Sequence, residues 1–259
     1  MTAEQGNEQA KQLPSRRIAD ELRQLIESGE LPARSKLPSE RALADQYETA
    51  RNTAREAVRL LAEQGLVTAE HGRGVFVRPP HPLIRLGNDR YSPKYRESGL
   101  SPFLLECQRQ GKTGRFAVLS IDTVPAPATV AERLDLDDEA LVLRRENVFF
   151  ADDDPVYRVT TYIPWAIAEG TGLLEEEVPH QYGIHGVLEE RGYVMARLQD
   201  TINARMPTPD ETTHLNVPTG VPVLDVWHTS LTDAGKRYEL TRFVMRADMN
   251  ALYYDSPIE

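Results

Sequence analysis

Arginine and asparagine side chains lie together at the start of one amphipathic segment of this sequence. Arg51, Asn52 and Arg55 begin a stretch, residues 50–64, whose apolar residues recur at helical spacing. Arginine can make a bidentate contact with guanine, and asparagine with adenine, so this combination is typical of a helix that contacts base edges in the major groove. Arginines four residues apart are also typical of a solvated helix face. The residues on either side of the segment favour the first interpretation.

The flanking residues predict a winged helix-turn-helix. Ser39 follows a proline and predicts the N-cap of a helix over residues 40–46, and residues 47–49 form the turn before the arginine-bearing helix. Two short β-like runs, residues 66–69 and 75–77, then flank a turn that contains glycine. Two helices joined by a turn, the second with arginines at its start, and a hairpin wing are the elements of a DNA-binding domain.

Three kinds of contact with double-stranded DNA are predicted from this arrangement. The first turns of the arginine-bearing helix face the bases, whereas Arg41 on the preceding helix is placed to clamp a phosphate. Gly72 lets the wing backbone approach the minor groove, which Arg73 or His71 can enter. The predicted DNA-binding residues are Arg41, Arg51, Asn52, Thr53, Arg55, Gly72 and Arg73.

The distribution of charge is compatible with a nucleic-acid partner, although the chain as a whole is acidic. The formal net charge is −10, yet the first 80 residues hold 12 basic and 12 acidic side chains, so the acidity belongs to the rest of the chain. An electrically neutral first part needs converging arginines to attract DNA. We therefore expect affinity to depend on pairing two copies of the chain in a homodimer.

Composition excludes several other classes of protein. With 40% hydrophobic and 27% charged residues the chain is typical of a globular protein, and no apolar run is long enough to span a membrane. The polar first residues lack the apolar core of a signal peptide. The single cysteine, Cys107, precludes an internal disulfide and a cysteine-based metal site. We expect a cytoplasmic, nucleoid-associated protein with no membrane partner.

Four segments are predicted along the chain. Residues 1–14 form a flexible tail, residues 15–78 the DNA-binding domain, and residues 79–101 a linker that is rich in proline at its start and then polar and irregular. Residues 102–255 contain strands joined mostly by hairpins, with helices between them, and the turn at residues 151–155 is the clearest of these hairpins. This pattern predicts an α+β fold whose sheet is mainly antiparallel.

Three motifs of the first domain resemble the N-terminal domain of the GntR family of bacterial transcription regulators. They are Leu37–Arg41 (LPSER), Ala50–Ala57 (ARNTAREA) and Gly72–Val77 (GRGVFV), in the order of the family. The resemblance implies a sequence-specific regulator, expected to be a repressor, that binds a palindromic operator as a homodimer. It also assigns DNA contact to the positions predicted above, except Arg73. This chain has Ala50 where the family commonly has a small hydroxyl residue.

The second half is similar to the ligand-binding domain of the HutC subfamily, named UTRA, which has a chorismate-lyase-like fold. The similar stretches are Phe149–Val156 (FFADDDPV), Tyr162–Pro164 (YIP), Leu188–Gly192 (LEERG) and Leu215–Leu224 (LNVPTGVPVL). The resemblance implies that a small-molecule effector binds in this domain and modulates binding to the operator.

The positions at which the chain departs from the subfamily concern the ligand. Members that bind phosphosugars carry two arginines at the positions of Asn147 and Phe149, and a carboxylate at the position of Val159. A tyrosine of those members is replaced by His185, and only Glu239 is retained. The anion-binding side chains are therefore missing, and we expect an effector that is less anionic and more apolar than a sugar phosphate.

The predicted effector pocket lies on one face of the predicted sheet. Because side chains alternate along a strand, Arg145, Asn147 and Phe149 share a face. The predicted effector-binding residues are Arg145, Asn147, Phe149, Tyr157, His185 and Glu239. The competing interpretation is that the aromatic residues are ordinary core and that Arg145 is a surface charge.

Two other functions remain open at this point. One is a constitutive DNA-binding regulator with a vestigial pocket, which a collapsed apolar pocket would favour. The other is a lyase-like enzyme fused to a DNA-binding domain, but neither a nucleophile motif nor an acid–base pair supports it, and we expect no enzymatic activity and no cofactor. A metal site is not expected either, because the spacing of His180, His185 and His228 does not support one.

Overall fold

The computed structural model describes residues 13–70, 72–78, 82–92 and 96–255. They form two compact units, and the chain passes from the first to the second at residues 81–82. Among these residues no helix is long and apolar enough to cross a membrane. Most of the predicted tail, His71 of the wing and the proline-rich start of the predicted linker lie outside the described residues.

The described part of the first unit contains helices and one hairpin in the predicted order. The elements are α1 (Pro14–Glu27), α2 (Glu40–Gln46), α3 (Arg51–Glu63), β1 (Val67–Glu70) and β2 (Gly74–Val77), with β1 and β2 antiparallel. The sequence predicts a helix from Arg16 to Ser28 that Ser15 could cap, whereas helix α1 begins two residues earlier. Pro14 occupies the first turn, where a missing N–H costs nothing, and Ser15 is buried in the helix instead of capping it.

Helix α3 is oriented by its apolar stripe. Ala54, Ala57 and Leu61 recur at helical spacing and are completely buried in the core that α3 shares with α1 and α2. Burying one leucine of this kind stabilises a fold by about 1.5–3 kcal/mol. The Ser39 hydroxyl accepts a hydrogen bond from the Ala42 N–H at 3.2 Å, which confirms the predicted cap of α2. The buried stripe of α3 and the capped helix α2 fix the orientation of α3, so that its arginine face points toward solvent.

Residues 83–91 are ordered, in contrast to the irregular linker predicted for this stretch. Strand β3 (Leu83–Leu86) pairs in parallel with the last strand, β10 (Asn250–Tyr253), and a 3-10 helix follows at Asn88–Tyr91. Leu83, Arg85 and Arg90 are buried in the second unit. The prediction was wrong here because β3 has only four residues and its partner lies at the other end of the domain.

A six-stranded antiparallel sheet forms the centre of the second unit. Its order is β4-β5-β6-β9-β8-β7, with β4 (Gly114–Pro125), β5 (Leu141–Ala151), β6 (Asp154–Pro164), β7 (Arg197–Arg205), β8 (Val223–Leu231) and β9 (Arg237–Arg246). The helices between or before the strands are α4 (Pro102–Arg109), α5 (Ala128–Leu134), α6 (Trp165–Ala168), α7 (Ile184–Glu190) and α8 (Pro209–Leu215). The predicted α+β fold with a mainly antiparallel sheet is confirmed.

The register of the central strands decides which side chains share a face. In the β5–β6 hairpin Arg145 lies opposite Thr161 and Asn147 opposite Val159. In the β6–β9 pair Thr161 lies opposite Thr241, and Val159 opposite Phe243. Because alternate residues point to the same side of a strand, these rows form one continuous surface across the middle of the sheet.

Candidate functional sites

The arginines at the start of α3 converge on one carboxylate of α2. The Glu40 carboxylate accepts hydrogen bonds from the Arg51 Nε at 3.3 Å and from the Arg55 Nε and Nη2 at 3.1 and 3.2 Å. The side chains of Arg51 and Arg55 are 67% and 59% exposed. The hydrogen bond from Arg55 holds the pKa of Glu40 below its ordinary value. Both guanidinium groups are thus positioned by a surface carboxylate and stay open to a larger anion.

The amino end of α3 presents backbone donors as well. Ala50 is the N-cap residue and has no side chain that can accept from the first turn. Free N–H groups at a helix start attract phosphate, because they point outward and the helix dipole favours negative charge. Asn52 and Arg41 are exposed and Thr53 is half-buried. The predicted base- and phosphate-contacting side chains therefore belong to one region around this helix end.

The hairpin turn of the wing depends on its glycines. Gly72 and Gly74 have φ angles of 73° and 124°, in the region that L side chains rarely adopt. Arg73 is exposed between them, with its Cζ 5.6 Å from the centre of the Phe76 ring. The turn therefore presents backbone and a cation at the tip of the wing.

A cavity of about 400 Å³ lies in the second unit. All six residues predicted to bind an effector line it: Arg145, Asn147, Phe149, Tyr157, His185 and Glu239. Its floor is the surface formed by the middle of β5, β6 and β9. The 3-10 helix at residues 88–91, α4 and the segment at residues 177–185 supply the remaining walls. Strand alternation thus brings residues that are distant in the sequence to one site.

Aromatic rings form one side of the cavity. Phe149 packs edge-on against Phe103 with ring centres 4.9 Å apart, and it stacks on Tyr157 at 5.2 Å. Phe116 lies 5.5 Å from Phe149, and Phe243 packs edge-on against Tyr157 at 6.0 Å. Rings that contact each other in this way form a rigid wall, which suits the flat or apolar part of a ligand.

The opposite side holds a buried carboxylate. The hydroxyl groups of Ser230 and Thr241 donate to the Glu239 Oε2 and Oε1 at 2.8 and 2.7 Å. Burial alone would raise the pKa of Glu239, but the nearby imidazoles and these two hydroxyl donors outweigh it and lower the pKa. The pKa of this buried carboxylate is therefore coupled to the charge of its imidazole neighbours.

His185 lies beside this carboxylate without a hydrogen bond to it. Its Nδ1 is 3.7 Å from the Glu239 Oε2, and burial lowers the pKa of His185 to about 4 although the carboxylate opposes the shift. The ring is therefore neutral at physiological pH. Tyr91 packs edge-on against it at 5.2 Å and fixes its position.

A second imidazole lies on the other side of Tyr91. His228 stacks on Tyr91 at 5.4 Å, and its Nδ1 is 2.6 Å from the Asp200 Oδ1. Burial opposes ionisation of Asp200, but the hydrogen bond with His228 lowers its pKa to about 2. Within the described part of the chain, no three His, Cys, Asp or Glu side chains are arranged to hold a metal ion. His228 and Asp200 therefore form a hydrogen-bonded pair beside Tyr91.

Arg145 lines the cavity, yet its guanidinium is engaged by the backbone. Its Nη1 donates to the carbonyl oxygens of Leu173 and, at 2.7 Å, of Glu175, and its Nη2 donates to that of Glu176 at 3.2 Å. Arg145 is 2% exposed, so it is neither a surface charge nor a side chain that is free to clamp an anion. Its observed role is to hold the loop at residues 173–176 in place.

Several lining residues were not predicted from the sequence. Arg90 and Tyr91 belong to the stretch expected to be a linker, and Phe103 comes from α4. Arg90 is buried, with its Nη2 3.4 Å from the Glu106 Oε2, and burial raises the pKa of the Glu106 carboxyl. The apolar residues Leu83, Ile84 and Leu86 are the local sign of a strand here, and the run is too short to distinguish from a loop.

The chain matches two known family models and resembles several known proteins. The model of the GntR family of bacterial regulatory proteins matches residues 14–77, and the model of the UTRA domain matches residues 109–250. The HTH-type transcriptional regulator Rv0792c of Mycobacterium tuberculosis is 32% identical over 90% of this chain and 82% of its own length. The HTH-type transcriptional repressor PhnF of Mycolicibacterium smegmatis is 29% identical over 82% of this chain and 80% of its own length.

The fold agrees with these matches. The crystal structure of PhnF superposes with a TM-score of 0.60, at 23% identity, over 93% of this chain and 100% of the PhnF chain. Both matching domains are those of transcription regulators, and the named relatives are regulators and not enzymes. The chain therefore belongs to the GntR family of bacterial regulatory proteins, in the HutC subfamily with a UTRA domain, and is a DNA-binding transcriptional regulator.

Proposed function

We propose that the chain is a repressor that binds a palindromic operator as a homodimer. The observation that carries this proposal is the pair of exposed arginines at the amino end of α3, oriented by Glu40. PhnF, a relative of similar domain content, is named as a repressor. The residues proposed to contact DNA are Arg41, Arg51, Asn52, Thr53, Arg55, Gly72 and Arg73.

The proposed pairing of two chains is based on the low affinity for DNA that we expect of a single chain. Exposed arginines add modest electrostatic affinity each, and the first 80 residues have no net positive charge. Two copies on two half-sites contribute their binding energies together, so a dimer gains affinity and requires symmetry in the operator. An acidic second unit also discourages binding of this chain to DNA outside the operator.

The cavity of the second unit is proposed to hold a small-molecule effector that is not a sugar phosphate. Its volume of about 400 Å³ lies in the range of ligand sites and argues against a collapsed pocket. Asn147 and Phe149 offer no cation for a phosphate, and the guanidinium of Arg145 is engaged by backbone carbonyls. Effector binding and operator binding are linked, so each changes the affinity of the other by the same factor.

The test is a titration of the full chain with an operator duplex obtained by selection from random sequence. We expect a palindromic site, two chains per duplex, and a loss of binding when one half-site is scrambled. Binding of one chain to a single asymmetric site would contradict the dimer proposal. Operator affinity that is unchanged by every molecule that fills the cavity would contradict the linkage.

A further inference from the structure

The ionisable side chains around the cavity differ in whether a hydrogen-bond partner, an opposite charge or solvent compensates their charge. They are Arg90, Arg145, Glu177 and Glu239, together with the imidazoles of His180 and His185. Arg145 donates to three carbonyl oxygens, and Arg90 lies beside Glu106. Glu177 is exposed to solvent. Glu239 is the buried carboxylate of this set, and its closest ionisable neighbour among them is His185, whose Nδ1 lies 3.7 Å from the Glu239 Oε2.

Glu239 retains capacity to accept hydrogen bonds. A carboxylate has two oxygens with two lone pairs each, and each oxygen of Glu239 accepts from one hydroxyl group. A hydroxyl donor does not neutralise the charge, and a buried charge without an opposite one is costly. A cation supplied by a ligand would therefore be bound more strongly here than a neutral donor.

Asn147 lines the same cavity with a neutral side chain. It is 9% exposed, but its Oδ1 is buried and does not face the cavity. Asn147 therefore supplies no charge that competes with Glu239 for a ligand.

The aromatic wall suits the rest of such a molecule. Phe149, Tyr157 and Phe103 contact one another through their faces and edges and line the same cavity. Aromatic faces attract organic cations and stack on rings. The guanidinium of Arg85 already covers the Phe243 ring at 3.9 Å, which leaves the other rings for a ligand.

We propose that the effector is an organic ammonium ion, with its –NH₃⁺ group donating to Glu239 and an aromatic or apolar body against Phe149 and Tyr157. This inference rests on the proposed function, because it names the class of molecule that fills the proposed effector cavity. It excludes carboxylates and phosphates as preferred ligands. An alcohol of the same shape is expected to bind more weakly, since its donor carries no charge.

The experiment uses three probes of matched shape on the full chain: 2-phenylethylamine, 2-phenylethanol and 3-phenylpropanoate. Calorimetric titration is expected to show the amine binding about tenfold tighter than the alcohol, with the carboxylate weakest. Glu239→Gln should remove the preference for the amine and leave binding of the alcohol intact. Asn147→Asp, which adds a carboxylate, should increase the preference and serves if the first variant does not fold.

The outcomes separate this inference from the proposed function. Tightest binding of the carboxylate, equal binding of the amine and the alcohol, or no binding of the amine would overturn the ammonium assignment. If the alcohol or the carboxylate then changes operator affinity, the effector function stands without that assignment. If the amine binds with the expected preference and operator affinity does not change, the assignment stands and the linkage fails.

Discussion

The two units of the chain keep their charged side chains in opposite environments. In the first, Arg51 and Arg55 are more than half exposed and share one surface carboxylate, Glu40. In the second, Arg90 and Glu239 are 5% and 1% exposed, inside a domain core. A surface ion pair contributes little stability and is easily exchanged for another anion. A buried charge depends on each of its partners, so removing one partner is costly.

The difference in exposure between the two units corresponds to the ligand proposed for each, a DNA duplex for the first unit and a small molecule for the second. A DNA duplex presents a row of phosphates to the outside of a protein, and exposed arginines can rearrange onto it. A small molecule is surrounded by its site, and the groups that recognise it must be dehydrated and fixed before it arrives. Substitution in the first unit should therefore change binding while stability is kept, and substitution in the second should change stability first.

The largest effect is expected from the buried pair of the second unit. Arg90→Leu removes the first of the two arginines, Arg90 and Arg85, that stabilise the buried Glu106 carboxylate, and should lower the free energy of unfolding by about 3–5 kcal/mol. Trp165 and Trp227 both belong to the second unit, so tryptophan fluorescence during urea unfolding measures this unit. The double variant Arg90→Leu with Glu106→Gln should recover much of the loss. If Arg90→Leu alone is as stable as the parent protein, the buried charges of the second unit do not depend on their partners in the way proposed.

Acid should destabilise the second unit through His185. Its pKa is about 4 in the folded protein and about 6.5 when unfolded, so the unfolded chain binds the extra proton between these values. Stability is therefore complete above pH 6.5 and falls by about 3 kcal/mol as the pH drops to 4. Tryptophan fluorescence in urea at each pH measures it, and His185→Gln should flatten the curve above pH 4.5. A slope that persists in that variant would assign the effect to another group.

The arginines of α3 should affect operator binding and leave stability unchanged. Arg51→Ala is expected to cost about 1–3 kcal/mol of binding free energy and to relax one base preference, measured by fluorescence anisotropy at fixed salt. Arg59→Ala is the matched control on the same helix, because its guanidinium is already held by Glu56 and Glu63. Equal losses for the two variants would indicate that only the total charge of the helix matters.

The smallest expected effect compares one helix cap in each unit. Ser39→Ala removes the acceptor for the Ala42 N–H and should destabilise α2 by about 1 kcal/mol. Thr208→Ala removes half of a reciprocal cap with Glu211, which also binds Arg205 at 2.7 Å. Hydrogen exchange of residues 40–46 and 209–215 measures both effects. Each variant should lose protection only in the unit that carries its substitution, and the loss should be larger for Thr208→Ala. A loss of protection in both units from either single variant would contradict the expectation that each cap stabilises only its own unit.

Sequence predicted the first unit well because its determinants are local. The cap at Ser39, the stripe of Ala54, Ala57 and Leu61 and the hairpin glycines all act within a few residues along the chain. Helix bounds such as those of α2 follow from such signals alone. The predicted start of α1 was two residues too late. Ser15 is a common N-cap residue, but Pro14 is equally suited to the first turn of a helix.

The second unit was predicted in its elements and only partly in its site. Period-two alternation placed Arg145, Asn147 and Phe149 on one face, and the structure brings them to one cavity. The ordering of β3 and the 3-10 helix that carries Arg90 and Tyr91 was not predictable, because it depends on pairing with β10 more than 160 residues away. Long-range pairing leaves no periodic signal in a four-residue strand.

Sequence alone determined the type of each domain, the arginine face of α3 and the loss of the anion-binding side chains from the cavity. The arginine face follows from residue identity and from periodicity, which act over one helix, whereas the domain types and the lost side chains follow from the resemblance to the family. Only the tertiary structure decided that Arg145 is held by the carbonyls at residues 173–176, that burial lowers the pKa of His185 and that Glu239 is a buried acceptor. Those properties depend on dehydration and on neighbours from distant strands, which the order of residues does not specify.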